Sequence, residues 1–243
     1  KAKGSTDGWR TEDLVGVLLG AMASLAILAL WANDLAYGAR LAGTGVLLAV
    51  VLAGYLYPVH RYLGRMQMGQ GGDQILPRMV LGAALSGVAL LGTWASMQWA
   101  PTWVGKLSTN PDARAWTQIA SALGAVFGGL FGAYLGAMAG RRVAYAALCL
   151  LSLGSTQYFY RMNEGYDFHF LASAFVAGGL TASFYGWLPL YLPELFPTRV
   201  RATAQGFCFN FGRIIAAIGA LQTGALMKGV FQEDYAQIGR AHV

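Results

Sequence analysis

The sequence predicts an all-α membrane protein with about seven transmembrane helices, and three observations favour that fold class. Of the 243 residues, 56% are hydrophobic and only 12% are charged, whereas soluble domains carry about 25% charged residues. The apolar residues fall into seven blocks of about 17 to 28 residues, each long enough for a helix across a hydrocarbon core about 30 Å thick. Tryptophan and tyrosine collect at the ends of several blocks, as they do at the edges of a bilayer.

The predicted spans follow one another along the chain with short polar connections. They are residues 13–31, 41–57, 79–100, 116–139, 143–160, 168–192 and 203–230. The first block is longer than the apolar part of a signal peptide, lacks a small-residue cleavage pattern and is followed at once by a second span. We therefore interpret it as a helix that stays in the protein.

Basic residues predict which side of the membrane each connection faces. With the N-terminus in the cytoplasm, ten basic residues lie in inside segments: Lys1, Lys3, Arg10, Arg61, Arg65, Arg78, Arg141, Arg142, Arg199 and Arg201. Four lie in outside loops: Arg40, Lys106, Arg114 and Arg161. This excess fits the positive-inside rule. We therefore expect an integral protein of the plasma or bacterial inner membrane with a cytoplasmic N-terminus.

The spans and connections suggest five segments. Residues 1–12 are expected to be a cytoplasmic segment, 13–57 a transmembrane hairpin, 58–78 a cytoplasmic linker, 79–230 a helical bundle and 231–243 a tail. The glycine-rich stretch 68–73 has neither a following Lys-Ser/Thr nor a preceding strand, so it is not expected to bind phosphate. Both ends of the chain look cut, and residues 238–243 resemble the translation of a sequencing adaptor.

Composition and spacing argue against several kinds of chemistry. Cys149 and Cys208 lie in apolar blocks, and the histidines are scattered, so we expect no disulfide, metal site or cofactor. The net charge of +6 comes without a basic stripe interleaved with aromatic residues, so no nucleic-acid partner is expected. An intramembrane enzyme using Ser155 and His169 is the main rival from another class. It has no nucleophile elbow, and we do not expect an enzyme.

The fourth span contains glycine at every fourth position. These glycines form a stripe without side chains along one helix face: Gly124, Gly128, Gly132, Gly136 and Gly140. Another helix can approach such a stripe closely. Static packing and a seam along which helices slide are both open interpretations.

The loop after the sixth span carries the most specific motif. It has Glu194, Pro197 and Arg201 in the spacing Glu-x-x-Pro-x-x-x-Arg, followed by Gly206. This resembles the cytoplasmic signature of major facilitator superfamily transporters, especially the sugar and organic-acid porters. The sequence from Gly132 to the pair Arg141 and Arg142 resembles the other cytoplasmic signature, Gly-x-x-x-Asp-Arg-x-Gly-Arg-Arg. Ala137 and Met138 stand where the family has Asp and Arg, so the full charge relay is not expected here.

The resemblance implies a fold of twelve spans in two halves, which work by alternating access. It assigns the third to seventh spans here to the seventh to eleventh of the fold, so the N-terminal half and the last helix would be missing. The first two spans would then be an extra central pair, as in the sialate and organic-acid proton symporters. The resemblance also implies that Glu194, Arg201 and either Arg141 or Arg142 form a cytoplasmic gate. Alternatively, these arginines only fix orientation.

Polar residues inside the spans are candidates for binding a solute. Arg213 and Asn210 lie on a face of small and polar residues, and Arg213 is about 15 Å along the helix from Thr203. Either Arg213 meets an anionic solute, or it snorkels to the inner interface because the span begins later. The other candidates, which could equally form bonds between helices, are Thr93, Trp94, Gln98, Gln118 and Tyr185.

These features predict secondary active transport of a small polar or anionic solute, a sugar or an organic acid such as sialate. Coupling to protons is expected, although no Asp or Glu lies in the interior of a predicted span. The proton carrier would therefore belong to the missing half. The alternative is a multispan membrane scaffold or receptor-like protein that binds without transporting.

Overall fold

The computed structural model describes residues 11–33, 35–65 and 74–229, and every regular element in these ranges is a helix. The α-helices are α1 Thr11–Ala32, α2 Tyr37–Arg65, α3 Ile75–Trp94, α4 Ala100–Leu107, α5 Ala113–Met138, α6 Arg141–Met162, α7 Phe168–Ala182, α8 Phe184–Tyr191 and α9 Arg201–Gly229. Short 3₁₀ turns occupy Met97–Trp99 and Leu192–Leu195. The predicted all-α class is confirmed for this part of the chain.

Six helical stretches are long and apolar enough to cross a membrane, which indicates an integral membrane protein. They are Leu14–Ala32, Tyr37–Tyr62, Ile75–Leu107, Ala113–Met138, Phe168–Leu195 and Arg201–Met227. The sequence predicts about seven, and the difference is α6. This helix forms as expected, but Ser152, Thr156 and Gln157 make it more polar than the other six.

Several helices extend beyond the predicted boundaries. Helix α2 continues through Pro58 to Arg65, and α3 begins at Ile75 rather than at Met79. The predicted linker 58–78 is therefore helical at both ends. Its glycine-rich stretch, the predicted N-terminal segment as far as residue 10, and the tail 231–243 lie outside the described residues.

Two predicted spans are broken rather than continuous. The third ends as an α-helix at Trp94, and the chain passes through a 3₁₀ turn into α4, where Pro101 occupies the first turn. Proline suits that position because its missing N–H has no partner there. The sixth is broken at Ser183, whose amide donates to Leu180 O over 3.3 Å, a step of three residues that tightens the helix end.

The chain divides into two compact units, Lys1–Leu81 and Gly82–Val243. The first contains the antiparallel pair α1 and α2. Gly16 and Gly20 of α1 lie against Gly54 of α2, where a Cβ atom built on Gly16 would come within 2.6 Å of Gly54 O. Near the connection, Trp31 Nε1 donates to Thr44 Oγ1 over 2.9 Å. Small residues at one end and a hydrogen bond at the other hold this hairpin together.

In the second unit, α5 packs along α7 and α8, with α4 and α6 beside them. An aromatic cluster fills the end where α4 lies. The buried Trp103 of α4 has its ring 5.4 Å from Phe159, 5.0 Å from Tyr160 and 5.5 Å from Phe170. Rings at these separations gain both buried area and favourable ring–ring contacts.

The outer faces of the second unit are apolar. Leu130 on α5 and Leu150 on α6 are 68% and 72% exposed. Exposed apolar rows of this extent mark contact with a membrane or a protein partner. Together with the length of the helices, they fit a bundle surrounded by lipid.

Candidate functional site

An ion pair lies at the end of the second unit where α5 meets α6. Arg141, the first residue of α6, donates from Nη2 to Glu194 Oε1 over 2.6 Å and from Nε to Oε2 over 3.0 Å. Its Nη1 donates to Gly136 O over 2.7 Å. This two-point contact uses the planar fork of the guanidinium group. Arg141 thus ties the C-terminal end of α5 to the turn Leu192–Leu195.

The ion pair is partly exposed to solvent. The pKa of Arg141 is raised, mainly because its guanidinium group donates hydrogen bonds to Glu194. Partial burial lowers this pKa, and the negative charge of Glu194 raises it further. The Arg141 and Glu194 side chains are 27% and 49% exposed. Water and salt therefore screen them, and exposed pairs contribute about 0.2–1 kcal/mol.

The other two arginines of the predicted gate lie elsewhere. Arg201 Nε donates to Phe196 O over 3.4 Å, and the Arg142 side chain is exposed. Of the three candidate arginines, Arg141 is therefore the one that binds Glu194 among the described contacts. The role of this pair as a gate stays a prediction.

Apolar side chains hold the loop that carries Glu194. Leu192, Phe196 and Val200, spaced by four residues, are 1%, 3% and 2% exposed. Between them, Val200 N donates to Pro197 O over 3.1 Å, which closes the turn that leads into α9. Burying every fourth residue leaves Glu194 on the outer side, where it reaches Arg141.

The glycine stripe of α5 lies directly against the backbone of α7. Cβ atoms built on Gly124, Gly128 and Gly132 would overlap the carbonyl oxygens of Phe175, Gly179 and Ser183, respectively. These contacts are closer than any side chain would allow. The three glycines therefore form a packing seam, whether it is static or sliding.

The last two predicted glycines of the stripe have other surroundings. Gly136 faces the ring of Trp187 on α8, and its carbonyl oxygen accepts the hydrogen bond from Arg141. Gly140 contacts no helix, since a Cβ there would meet nothing within 4 Å. Its φ of +80° makes the turn between α5 and α6, a conformation that glycine adopts without strain. The prediction of Gly140 as a packing residue is therefore wrong.

Three predicted solute contacts lie on one exposed surface of α8 and α9. Arg213 lies over the ring of Phe209 at 4.8 Å, and its Nη1 is 3.5 Å from Asn210 Oδ1. The Phe209 ring in turn contacts the half-exposed Tyr185 at 6.5 Å. Phe209 is not among the predicted solute contacts, although a ring four residues before an arginine on a helix is a signal for such a contact.

Arg213 lies near the middle of its helix. Helix α9 begins at Arg201, earlier than the predicted start at 203, so Arg213 is about 18 Å from the helix start. An arginine side chain is much shorter than this distance, so Arg213 reaches the inner interface only if the membrane-spanning part of α9 begins well inside the helix. An exposed arginine at this depth requires polar surroundings, either a water-filled cavity or a further protein segment.

Trp94 and Gln98 line a separate cavity in the second unit. Its volume is about 390 Å³, and its other lining residues are Trp99, Thr102 and Ala220. Trp99 and Thr102 lie at or beyond the end of the predicted third span, so the hydropathy pattern does not single them out as solute contacts. Ala220 is two helical turns from Arg213 on the same face of α9.

The two remaining candidates do not join either surface. Thr93 Oγ1 donates to Thr181 O over 3.1 Å, which makes it a bond between α3 and α7 at the helix break. Gln118 is exposed on α5. Thr93 thus has the interhelical role that the sequence left open as its alternative.

Ser155 and His169 of the rival enzyme hypothesis have different neighbours. Ser155 Oγ donates to Ser152 O over 3.1 Å, while the His169 ring lies 2.8 Å from Tyr158 Oη and 3.0 Å from Asn163 Oδ1. In the described part of the chain, no group of three metal-ligating side chains is present, and Cys149 and Cys208 form no disulfide.

Comparisons with protein-family models, with curated proteins and with solved structures found no match. The resemblance to major facilitator transporters is therefore carried by two short motifs of this chain, residues 132–142 and 194–206.

Proposed function

We propose that this chain is part of a secondary active transporter of the major facilitator type, which moves a small polar or anionic solute by alternating access. The observation that carries the proposal is Arg213, an exposed arginine near the middle of an apolar helix, which contacts Asn210 and the ring of Phe209. A cation at this depth is favourable where it faces an aqueous solute pathway, and it would attract an anionic group.

The ion pair at the turn between α8 and α9 supports the same proposal. In an alternating-access protein, contacts that form in one state and break in the other set the balance between states. The Arg141–Glu194 pair is exposed and worth little energy. Such a pair can break and re-form during a transport cycle more easily than a buried one.

A complete transporter of this type has a second half with the same fold, and the solute would bind between the two halves. Coupling to protons would use a carboxylate of that half. The cytoplasmic position of Arg141 and Glu194, and the bacterial inner or plasma membrane as location, are parts of this proposal.

Uptake by the full-length gene product in proteoliposomes tests the proposal. N-acetylneuraminate and glucuronate serve as acidic probes and glucose as a neutral one, each with and without an inwardly directed proton gradient. We expect uptake of an acidic probe that the gradient accelerates. Binding without uptake of any probe would instead support a scaffold or receptor-like protein.

Substitution of Arg213 tests the residue itself. Arg213→Ala should reduce uptake of the acidic probe by at least about tenfold, which corresponds to the loss of about 1.4 kcal/mol of binding. Arg161→Ala, which removes an exposed arginine at the end of α6, is the matched control and should transport normally. Equal uptake by both variants would show that Arg213 does not contact the solute.

A further inference from the structure

A second polar cavity lies between α3, α6 and the break that separates α7 from α8. Its volume is about 220 Å³. The walls combine apolar side chains with four hydroxyl groups and one thiol: Val88, Leu91, Gly92, Ser96, Cys149, Ser152, Leu153, Thr156, Thr181 and Phe184. None of the solute candidates predicted from the sequence lines it, so it is distinct from the surface of Arg213 and from the cavity at Trp94.

Three of the four hydroxyl groups donate their proton to a backbone carbonyl oxygen. Ser152 Oγ donates to Leu180 O over 2.9 Å, Thr181 Oγ1 donates to Ala177 O over 2.8 Å, and Ser96 Oγ donates to Gly92 O. A hydroxyl has one proton and two lone pairs. These three groups can therefore only accept hydrogen bonds from a molecule in the cavity.

The fourth hydroxyl, that of Thr156, belongs to the wall of the cavity. The residue is 5% exposed, and its hydroxyl makes no hydrogen bond to the described residues. A hydroxyl without an internal bond offers both its proton and its lone pairs to a molecule in the cavity. Thr156 is therefore the polar group of the cavity with the most to gain from a ligand.

The lining also limits the charge and size of that ligand. No charged side chain lines the cavity, so an ion would lose its hydration without gaining a counter-charge. A volume of about 220 Å³ corresponds to about seven water molecules and is smaller than typical drug-sized pockets. The ligand must be small, uncharged and able to donate hydrogen bonds.

We propose that this cavity binds a small polyol with two or three hydroxyl groups, held by hydrogen bonds to Thr156, Ser152 and Thr181. The apolar walls contact the carbon atoms of the polyol, while the three hydroxyls accept its protons. Binding here does not require the proposed transport activity, so failure of either proposal leaves the other intact.

Cys149 provides a reporter, because it lines the cavity whereas Cys208, the other cysteine, is fully buried beside Gly82. In the full chain carrying Cys208→Ala, reconstituted in phosphatidylcholine vesicles, mass spectrometry follows modification of Cys149 by methyl methanethiosulfonate. Glycerol should slow the modification, by about half at a concentration equal to its Kd. Sucrose at the same osmolality, which is too large for the cavity, should not.

Substitutions of threonine separate specific binding from a general effect of glycerol. Thr156→Val keeps the shape but removes the hydroxyl, and it should abolish protection by glycerol, whereas Thr156→Ser should retain protection. Thr117→Val is the matched control, because Thr117 is a buried threonine of α5 whose hydroxyl donates to Ala113 O. If Thr156→Val does not fold, Ser152→Ala takes its place.

Three results would each overturn the proposal. If glycerol does not slow modification of Cys149 in the parent protein, the cavity holds water alone. If glycerol slows modification equally in Thr156→Val, or if sucrose has the same effect, the protection does not come from binding at these hydroxyls.

Discussion

Replacing Gly128 with alanine should push α5 away from α7, whereas the same change at the neighbouring Gly129 should not. A Cβ atom on Gly128 would overlap the carbonyl group of Gly179, and no side-chain rotation can move those backbone atoms. A Cβ atom on Gly129 would meet nothing within 4 Å. The two variants have the same chemistry on the same helix, so they differ mainly in their effect on the seam.

The expected magnitude follows from two opposing contributions. Alanine in place of glycine favours the helix by about 1 kcal/mol at either position. Overpacking a close contact costs about 1–3 kcal/mol. We expect Gly128→Ala to lie at the upper end of this range, because the atoms that the new Cβ would meet belong to the backbone. We expect Gly128→Ala to lower the free energy of unfolding by about 2 kcal/mol, and Gly129→Ala to raise it by about 1 kcal/mol.

Unfolding of the purified protein by sodium dodecyl sulfate, followed by far-ultraviolet circular dichroism, measures this difference. The midpoint should move to lower detergent fraction for Gly128→Ala and to higher detergent fraction for Gly129→Ala. Midpoints that move together, to within about 0.5 kcal/mol, would refute the close approach of α5 and α7.

Two further predictions concern single side chains. Glu194→Gln should favour the inward-open state and reduce uptake by the full-length protein. The free energy of unfolding should change by less than about 1 kcal/mol, because the ion pair is exposed. Normal uptake and unchanged labelling of a cysteine in the outer cavity would contradict this prediction, and Glu164→Gln is the control. Asp167→Ala should lower the free energy of unfolding by about 1 kcal/mol, because Asp167 Oδ1 accepts a hydrogen bond from Phe170 N at the start of α7. Asp112→Ala should have little effect in the same detergent titration, because Asp112 precedes α5 without a side-chain cap; equal losses would show that the cap is not the cause.

The helices were predictable because lipid imposes a simple requirement on the chain. Backbone polar groups have no water to bond in the hydrocarbon core, so a long apolar block must form a helix. The breaks were harder to predict, because they depend on neighbours. The carbonyl oxygens of Leu180 and Thr181, next to the break at Ser183, accept hydrogen bonds from Ser152 of α6 and Thr93 of α3. No pattern within the sixth span reveals those donors.

The candidate site was predicted in outline but not in its pairing. Charge and motif placed Glu194, Arg141, Arg142 and Arg201 near one end of the bundle, yet the sequence left the partner of Glu194 open. The pairing depends on the tight turn at Gly140, which brings the first residue of α6 back beside the end of α5. Such a turn is set by a single backbone angle, so two adjacent arginines in the sequence acquire different surroundings.

The difference between these adjacent arginines leads to a prediction about geometry rather than charge. Arg141 donates three hydrogen bonds in fixed directions, two to Glu194 and one to Gly136 O. A lysine keeps the charge, but its single ammonium group cannot reproduce the fork. Hydrogen exchange of residues 192–200 should therefore become faster by up to about fivefold in Arg141→Lys, which corresponds to about 1 kcal/mol.

Arg142→Lys is the control, since the Arg142 side chain is exposed on the same turn of helix, and it should leave exchange in residues 192–200 unchanged. Exchange in Arg141→Lys that matches the parent protein would mean that a positive charge alone is sufficient at this position. The arginines would then act through charge near the membrane surface, as the positive-inside rule requires, and not as one half of a gate.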